Sequence, residues 1–203
     1  MEIGISMKKL LLTGFEPFDN ASINPSWEAV KLLPNEIEDT TIIKMQLPVV
    51  FGTAADQVIA KIQEEMPDYV IMLGLAGNRT KVTPEVIAIN LADARIPDNA
   101  GNQPKWKKIS EDGQDGIFSM LPVKDMVEKL NNEGIPAELS YSAGTYVCND
   151  LFYRVLDFID KKHLSTKAGF IHVPMPKDTD STSKSDLTLD KIVRGITVCI
   201  ETL

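Results

Sequence analysis

Strand patterns and helix patterns alternate along this chain, and the alternation restricts its fold more than any other feature of the sequence. Apolar runs predict strands at 8–13, 40–47, 68–75, 86–92, 135–141 and 168–174. Apolar stripes and capping residues predict helices at 25–33, 53–66, 122–133, 145–162 and 189–203. This alternation indicates an α/β fold, in which ligands bind beyond the carboxyl ends of the strands.

Length and composition fit one globular domain over 1–203, with residues 1–7 loosely ordered. Of the 203 residues, 43% are hydrophobic and 25% are charged. The 21 Lys and Arg residues against 29 Asp and Glu residues give a net charge of −8. This charge would repel nucleic acids and anionic membranes, so we expect neither as a partner.

The location of the protein is predicted from its apolar runs and its cysteines. No run approaches the roughly 18 apolar residues that span a bilayer, and the apolar stretch near the start is too short for a signal peptide. The two cysteines, Cys148 and Cys199, cannot make a disulfide framework. We therefore expect a cytoplasmic protein with free thiols.

Cys148 lies in SAGTYVCND, within the first turn of a predicted helix that follows a predicted strand. Unpaired N–H groups and the helix dipole stabilise an anion there, so the position favours a thiolate nucleophile. The alternative is a buried structural cysteine, which is the commoner fate of a lone thiol. Cys199 adjoins the apolar stripe of the last helix, where we interpret it as a packing or subunit contact.

Only two histidines are available as a base for such a thiol. His172 lies in GFIHVP near the carboxyl end of a predicted buried strand, where an imidazole needs a polar partner. It is either a hydrogen-bonded core residue or a general base. His163 ends a predicted helix after two lysines, where a histidine is ordinarily solvated or a cap.

Glu85 is the candidate for orienting the base. It lies in VTPEVIAIN between apolar residues that would hold its carboxylate against the core. The alternative is a turn residue with its carboxylate in water. Cys148, His172 and Glu85 together compose a nucleophile, a base and an orienting group.

Two phenylalanines and one long loop complete the candidate site. Phe15 and Phe18, directly after the first predicted strand, either cover the core or wall an apolar pocket for a flat, uncharged ring. The polar connection 93–116 is a lid or an interface arm. Within it, Asp93 and Arg95 form an ion pair, or Arg95 lies near an oxyanion.

Several cofactor motifs are absent from the sequence. There is no GxGxxG after a strand, no GxxxxGK[ST], no HExxH and no paired CxxC. We therefore expect neither a metal nor an organic cofactor.

The segments LLTGFEPF, NPSWEAV, GLAGNR, VTPEVIAIN, DARIPDN, SYSAGTYVCND and GFIHVP, in that order, resemble pyroglutamyl-peptidase type I, the pyrrolidone carboxyl peptidase family of cysteine peptidases. The resemblance runs from about Leu10 to the C-terminus. It implies a single-domain, three-layer α/β/α sandwich with a mixed, mostly parallel sheet. It also implies a homo-oligomer, a tetramer or a dimer, that acts on peptides with an N-terminal pyroglutamyl residue.

The resemblance also assigns roles to individual residues. It implies that Cys148 is the nucleophile, His172 the general base and acid, and Glu85 the orienting carboxylate. The residues that match the family's pyroglutamyl pocket are Phe15, Phe18, Tyr146 and Val147.

Some positions depart from the family pattern. Val86 replaces a basic residue after the glutamate, Leu75 replaces a glutamine, Asn78 replaces a glycine, and Asp19-Asn20 replaces a pair of glycines. These changes leave two alternatives open. One is a non-catalytic binder of pyroglutamyl or related ligands, and the other is a cysteine hydrolase of another small cyclic amide.

Overall fold

A computed structural model describes residues 7–19 and 21–203 of the protein. The predicted loose order of residues 1–7 concerns mainly residues 1–6, which lie outside this range. The strands are β1 (Lys8–Phe15), β2 (Glu36–Ile37), β3 (Thr40–Leu47), β4 (Tyr69–Leu75), β5 (Thr83–Pro84), β6 (Ile87–Ile89), β7 (Gly116–Phe118) and β8 (Lys167–Val173). The helices are α1 (Pro25–Leu32), α2 (Thr53–Glu65), α3 (Val123–Asn132), α4 (Val147–Lys161) and α5 (Leu189–Ile200).

Six strands form one mixed sheet in the order β2-β3-β1-β4-β8-β5. The four inner strands β3, β1, β4 and β8 are parallel, and the short edge strands β2 and β5 pair in the antiparallel sense. Strands β6 and β7 form a separate antiparallel pair. The predicted α/β fold with a mixed, mostly parallel sheet is therefore confirmed.

Helices cover both faces of the sheet, which gives three layers. Helices α2 and α4 pack on one face, and α1, α3 and α5 pack on the other. Alternate residues of each inner strand serve the two faces: Leu11 and Met72 join the core under α2 and α4, while Leu12 and Ile71 join the other core. Because both faces are buried, these strands are apolar almost throughout.

Local signals in the sequence explain several helix boundaries. The Asn24 side chain accepts a hydrogen bond from the N–H of Ser26, and Pro25 occupies the first turn of α1, as predicted. Gly134 has a φ of 71° just after α3, a left-handed conformation that glycine adopts without strain. In the part of the chain that the structure describes, no helix is long and apolar enough to cross a membrane.

Two strand predictions are wrong in extent. The segment 135–141 forms only isolated bridges, from Ala137 to Val82 and from Ser140 to Glu85. The strand predicted at 86–92 is limited to β6, because the chain turns after Ile89, where the N–H of Leu91 donates to Ile89 C=O. The Asn149 side chain bonds the N–H and C=O of Ile89, and also the C=O of Leu91.

Part of the long connection 93–116 lies against the rest of the domain. The Asp98 carboxylate accepts the N–H of Phe51, and the N–H of Asn99 donates to Val49 C=O. Further along, Trp106 is exposed and has a φ of 44°. The connection therefore has a docked part, around 97–99, and an exposed part.

Candidate active site

Glu85 and His172 meet at the edge of the sheet that carries β5. In β5, Thr83 pairs with His172 of β8. Glu85 follows β5, and its N–H donates a hydrogen bond to Phe170 C=O. This pairing brings Glu85 Oε1 to 2.7 Å from His172 Nδ1. Glu85 is fully buried, so its interpretation as a solvated turn residue is wrong.

Cys148 reaches the same place from helix α4. Its Sγ lies 3.0 Å from the point that a Cβ on Gly74 would occupy, and Gly74 is the register partner of His172 on the neighbouring strand. A side chain at position 74 would therefore collide with the sulfur. The parallel pairing of β4 with β8 and the missing side chain of Gly74 together bring the thiol and the imidazole to the same face of the sheet, at neighbouring strand positions.

The start of α4 leaves backbone donors available near the sulfur. The helix begins at Val147, and Tyr146 provides no side-chain cap. The first N–H groups of a helix have no partner within the helix, so those around Cys148 can serve an oxyanion. No hydrogen bond joins Cys148 Sγ to His172 in the described part of the chain, and such contacts often tighten only when substrate binds.

Burial and hydrogen bonding together set the protonation of the three groups. It raises the pKa of Cys148 to about 12 and lowers the pKa of His172 below its ordinary value of 6.5, although Glu85 acts in the opposite direction on the imidazole. Burial also opposes ionisation of Glu85, but hydrogen bonds, led by the one to His172, outweigh it and lower the pKa of Glu85. These directions favour a thiol, a neutral imidazole and a carboxylate in the resting site. Burial thus opposes the thiolate that the helix start favours, and the thiolate at Cys148 stays a prediction.

An apolar cavity of about 160 Å³ opens next to the thiol. Ring contacts shape one wall: Tyr146 packs on Phe18 and Phe51, with centroids 5.4 and 5.2 Å apart. The described residues that line the cavity are Phe15, Phe18, Ala21, Ile23, Asn24, Val49, Leu75, Tyr146, Val147 and Cys148. All four residues predicted for the pocket are among them, although Phe15 is the last residue of β1 and does not follow the strand.

The docked part of the long connection is bonded to Tyr146, which lines this cavity, and to Glu16, which follows the lining residue Phe15. The Tyr146 hydroxyl donates to Pro97 C=O at 2.9 Å, and burial raises the pKa of Tyr146 to about 12, so the hydroxyl keeps its proton. Asn99 Nδ2 donates to Glu16 Oε1 at 2.8 Å. Residues 97–99 are thereby tied to the pocket wall.

Within the described residues, the Arg95 side chain makes no hydrogen bond or ion pair with Glu85, Cys148 or His172. Its side chain is exposed and forms no ion pair within residues 7–19 and 21–203, so the predicted ion pair with Asp93 is not present. Asp93 Oδ1 instead accepts the N–H of Trp106, and Arg95 C=O accepts a hydrogen bond from Gln103.

The cation in contact with the triad is Arg79, which the sequence analysis missed. Its Nη1 lies 2.7 Å from Glu85 Oε1. Arg79 stands in a turn after β4, where the sequence offers no sign that it faces a carboxylate six positions later. Because Arg79 supplies a positive charge at Glu85, the replacement of the family's basic residue by Val86 does not leave that carboxylate without a counter-ion.

The remaining cysteine and histidine lie where the sequence predicts. Cys199 is buried in the core under α5, and burial raises its pKa to about 12. His163 is exposed just after the end of α4. In the described ranges, no group of three His, Cys, Asp or Glu side chains could hold a metal ion.

A thiol at a helix start, an imidazole and a buried carboxylate in an α/β fold define the class of cysteine hydrolases. Comparison with known proteins narrows this class. The profile of the family described as pyroglutamyl peptidase matches residues 8–203. The chain belongs to the pyroglutamyl peptidase family.

Individual relatives resemble the chain over almost its whole length. The pyrrolidone-carboxylate peptidase of Bacillus subtilis is 48% identical over 197 residues, which cover 96% of this chain and 92% of that protein. The crystal structure of pyroglutamyl peptidase I from Bacillus amyloliquefaciens superposes with a TM-score of 0.92 at 44% identity, covering 96% of this chain and 94% of that one. The pyrrolidone carboxyl peptidase from Thermococcus litoralis has a TM-score of 0.92 at 37% identity, covering 97% and 93% of the two chains.

Proposed function

We propose that this protein is a cysteine exopeptidase that hydrolyses the amide bond after an N-terminal pyroglutamyl residue. The observation that carries the proposal is the position of Cys148: it lines an apolar cavity, and its sulfur packs at Gly74, the register partner of the His172 that binds Glu85. The names of the relatives, pyroglutamyl peptidase and pyrrolidone-carboxylate peptidase, support the same substrate.

In the first half of the reaction His172 acts as base and then as acid. Its Nε2 takes the thiol proton as Cys148 Sγ attacks the pyroglutamyl carbonyl, and the Glu85 carboxylate stabilises the imidazolium through Nδ1. Backbone N–H groups at the start of α4 hold the oxyanion. The imidazolium then gives its proton to the leaving amine, and the C–N bond breaks to leave a thioester.

In the second half water replaces the amine. Neutral His172 removes a proton from water as the oxygen attacks the thioester, and it returns that proton to the departing Cys148 sulfur. The products are free pyroglutamate and a peptide shortened by one residue. Every proton in this cycle moves through the imidazole, so neither a metal nor an organic cofactor is required.

The cavity suits the pyroglutamyl residue because this residue has no terminal ammonium group. None of the described lining residues is charged, and aromatic and aliphatic side chains dominate the wall. A small apolar cavity with few polar groups selects a compact, uncharged ring over a charged N-terminus.

Backbone groups of Leu75 supply the polar contacts that the lactam needs. The N–H of Ala76 donates to Val173 C=O in β8, so the preceding residue directs its own N–H and C=O to the other side of β4, toward β1. Pairing of β1 with β4 ends at the Thr13–Met72 register, short of that point. The Leu75 backbone can therefore bond the lactam C=O and N–H although the family's glutamine side chain is replaced.

Arg95 belongs to the substrate side of the proposed site. It is exposed two positions before Pro97, which accepts the Tyr146 hydroxyl at the pocket rim. Its guanidinium is available to the oxyanion or to the peptide beyond the first residue.

Three further properties belong to the proposal. We expect a single domain over 1–203. We also expect a cytoplasmic location, because a catalytic thiol must stay reduced. We also expect a homo-oligomer, a tetramer or a dimer, which is supported by the exposed apolar side chains of Trp106, Phe118 and Tyr141. Light scattering during size-exclusion chromatography measures this state directly, and a monomer at all concentrations would contradict it.

The specificity is tested with three fluorogenic amides that share one leaving group and carry pyroglutamyl, prolyl or glutaminyl acyl groups. We expect release from the pyroglutamyl amide alone. Faster release from another cyclic or open-chain amide would assign the triad to a different substrate. A rise in melting temperature with pyroglutamate, without any turnover, would support the non-catalytic binder.

A further inference from the structure

The two oxygens of the Glu85 carboxylate have different surroundings. Oε1 accepts hydrogen bonds from His172 Nδ1 and from Arg79 Nη1, both at 2.7 Å. Oε2 is buried and has no hydrogen-bond partner. Without Arg79 this fully buried carboxylate would keep the neutral His172 imidazole and the nearby Ser140 hydroxyl, but no positive charge, and would be driven toward taking up a proton.

The Arg79 guanidinium donates hydrogen bonds to three residues. Besides Glu85, its Nη1 donates to Thr83 Oγ1 at 2.6 Å, and its Nη2 donates to Ser142 C=O at 2.9 Å. Thr83 is the residue of β5 that pairs with His172. The guanidinium therefore links the edge strand of the triad to the segment that leads into α4.

The other charged and titratable groups nearby do not replace this cation. The Glu85–His172 pair is faced by Arg79 and by the thiol of Cys148, which is neutral in the resting site. On the outer side of Arg79, Lys81 and Glu138 bind each other at 2.6 Å. Among the described residues, Arg79 is the cation in ion-pair contact with Glu85.

We propose that Arg79 is a positioning residue that keeps the Glu85 carboxylate ionised, so that this carboxylate always accepts the Nδ1–H of His172. The inference rests on the proposed function and adds a fourth residue to the site. With Nδ1 occupied, the lone pair of the neutral ring lies on Nε2, where it can accept the proton of Cys148. Arg79 acts through Glu85 and does not line the substrate cavity.

Removal of the guanidinium changes the pH at which the Glu85–His172 pair takes up a proton. Its positive charge opposes protonation of both partners, so its loss raises the apparent pKa of the pair, by about one unit or more for a charge at this distance. The acid limb of kcat/KM therefore moves to higher pH. KM at the optimum stays the same because the cavity is unchanged.

The experiment compares wild type with Arg79→Met, which keeps the aliphatic stem, and with Arg79→Lys, which keeps the charge. Arg194→Met is the matched control, since Arg194 binds Glu133 and Glu201 on the surface. We expect an upward shift of the acid limb in Arg79→Met, partial recovery in Arg79→Lys and no shift in the control. An unchanged acid limb in folded Arg79→Met would overturn the proposal.

A double-variant cycle separates positioning from support of the fold. If Arg79 acts through Glu85, Arg79→Met has little further effect on kcat once Glu85→Gln is present. If Arg79→Met lowers kcat by the same factor with Glu85 and with Glu85→Gln, and also lowers the melting temperature, Arg79 only supports the fold.

A spectroscopic measurement keeps the test independent of turnover. The chain has two histidines, so nitrogen-15 labelling gives two imidazole spin systems, and the His163→Gln variant assigns them. We expect His172 to be the Nδ1–H tautomer at neutral pH, with a titration that moves upward in Arg79→Met. A His172 titration that is identical in the two proteins would contradict the inference even if no substrate were hydrolysed, whereas inactive wild type with the expected shift would contradict only the proposed function.

Discussion

Glu85 Oε1 and His172 Nδ1 lie 2.7 Å apart although 87 positions separate the two residues in the chain. Antiparallel pairing of the short strand β5 with β8 produces this contact, because it places Glu85 one residue beyond the end of the edge strand. A carboxylate at Nδ1 fixes the imidazole tautomer and stabilises the imidazolium that forms when the thiol is deprotonated. The reactivity of the site thus depends on one edge of the sheet.

The first prediction concerns this contact. Glu85→Gln removes the charge and lets an amide N–H donate to Nδ1, which favours the wrong tautomer of His172. We expect kcat to fall by about 10²–10⁴-fold, the usual contribution of general acid–base catalysis, with little change in KM. Steady-state kinetics measure both constants, and a circular dichroism spectrum like that of wild type confirms folding. A kcat within a few-fold of wild type would show that Glu85 does not assist the base.

The second prediction uses the close approach of strand β4 to the nucleophile. A Cβ at position 74 would lie 2.7 Å from Phe170 Cζ and 3.0 Å from Cys148 Sγ. We expect Gly74→Ala to displace the sulfur and lower kcat by about 10²-fold, as small misplacements of reacting groups do, with a loss of about 1–3 kcal/mol of stability from overpacking. The matched control is Gly77→Ala, since nothing lies within 4 Å of a Cβ there. Equal activity of the two variants would contradict this account of the site.

The third prediction concerns pH. Because burial lowers the pKa of His172, the imidazole stays neutral and active as a base at pH 7, and kcat/KM falls only when pH drops below 6.5 and toward that lowered pKa. An acid limb centred above 6.5 would contradict the neutral resting imidazole.

The fourth prediction concerns the resting thiol. Burial raises the pKa of Cys148 to about 12, so the thiolate fraction, and with it the rate of alkylation by iodoacetamide, grows about tenfold per pH unit above neutrality. Mass spectrometry of the alkylated peptide measures this rate, and buried Cys199 serves as the internal reference. An alkylation rate that no longer rises with pH near neutrality would show a preformed thiolate–imidazolium pair instead.

The fifth prediction concerns the tie between the pocket and residues 97–99. Tyr146→Phe keeps the ring contacts with Phe18 and Phe51 but removes the hydrogen bond to Pro97 C=O. One such bond contributes about 0.5–1.5 kcal/mol, so we expect KM to rise several-fold, up to about tenfold, with kcat little changed. The control is Tyr141→Phe, because Tyr141 is 69% exposed. An unchanged KM in Tyr146→Phe would show that the tie does not shape the pocket.

The inner strands, the five helices and the three candidate residues Cys148, His172 and Glu85 could be predicted from the sequence. The strands β1, β3, β4 and β8 are buried on both faces and therefore appear as apolar runs. The Cys148 position follows from a helix start, and the His172 position from a buried strand end. These signals are local, so they can be recognised from the neighbouring residues in the sequence.

Features that depend on distant contacts could not be predicted. Strand β5 has two residues, and its pairing with β8 leaves no periodic pattern. The Asn149 side chain bonds Ile89 from 60 positions away, and this contact likewise has no local signal. The Arg79–Glu85 contact depends on how a turn folds back on the edge strand. Partial burial of the thiol, which opposes its ionisation, likewise results from packing and not from the helix start alone.

The measurement that tests the central claim most directly is release of the fluorophore from pyroglutamyl-aminomethylcoumarin under reducing conditions by wild type, Cys148→Ser and Cys199→Ser. Cys199→Ser controls for the loss of a thiol, because Cys199 lies in the core under α5, outside the residues that line the cavity. We expect release by wild type and Cys199→Ser and none by Cys148→Ser, with the fold of all three unchanged. Release by folded Cys148→Ser at the wild-type rate, or no release by wild type with a free thiol, would contradict the assignment of Cys148 as the nucleophile of a pyroglutamyl peptidase.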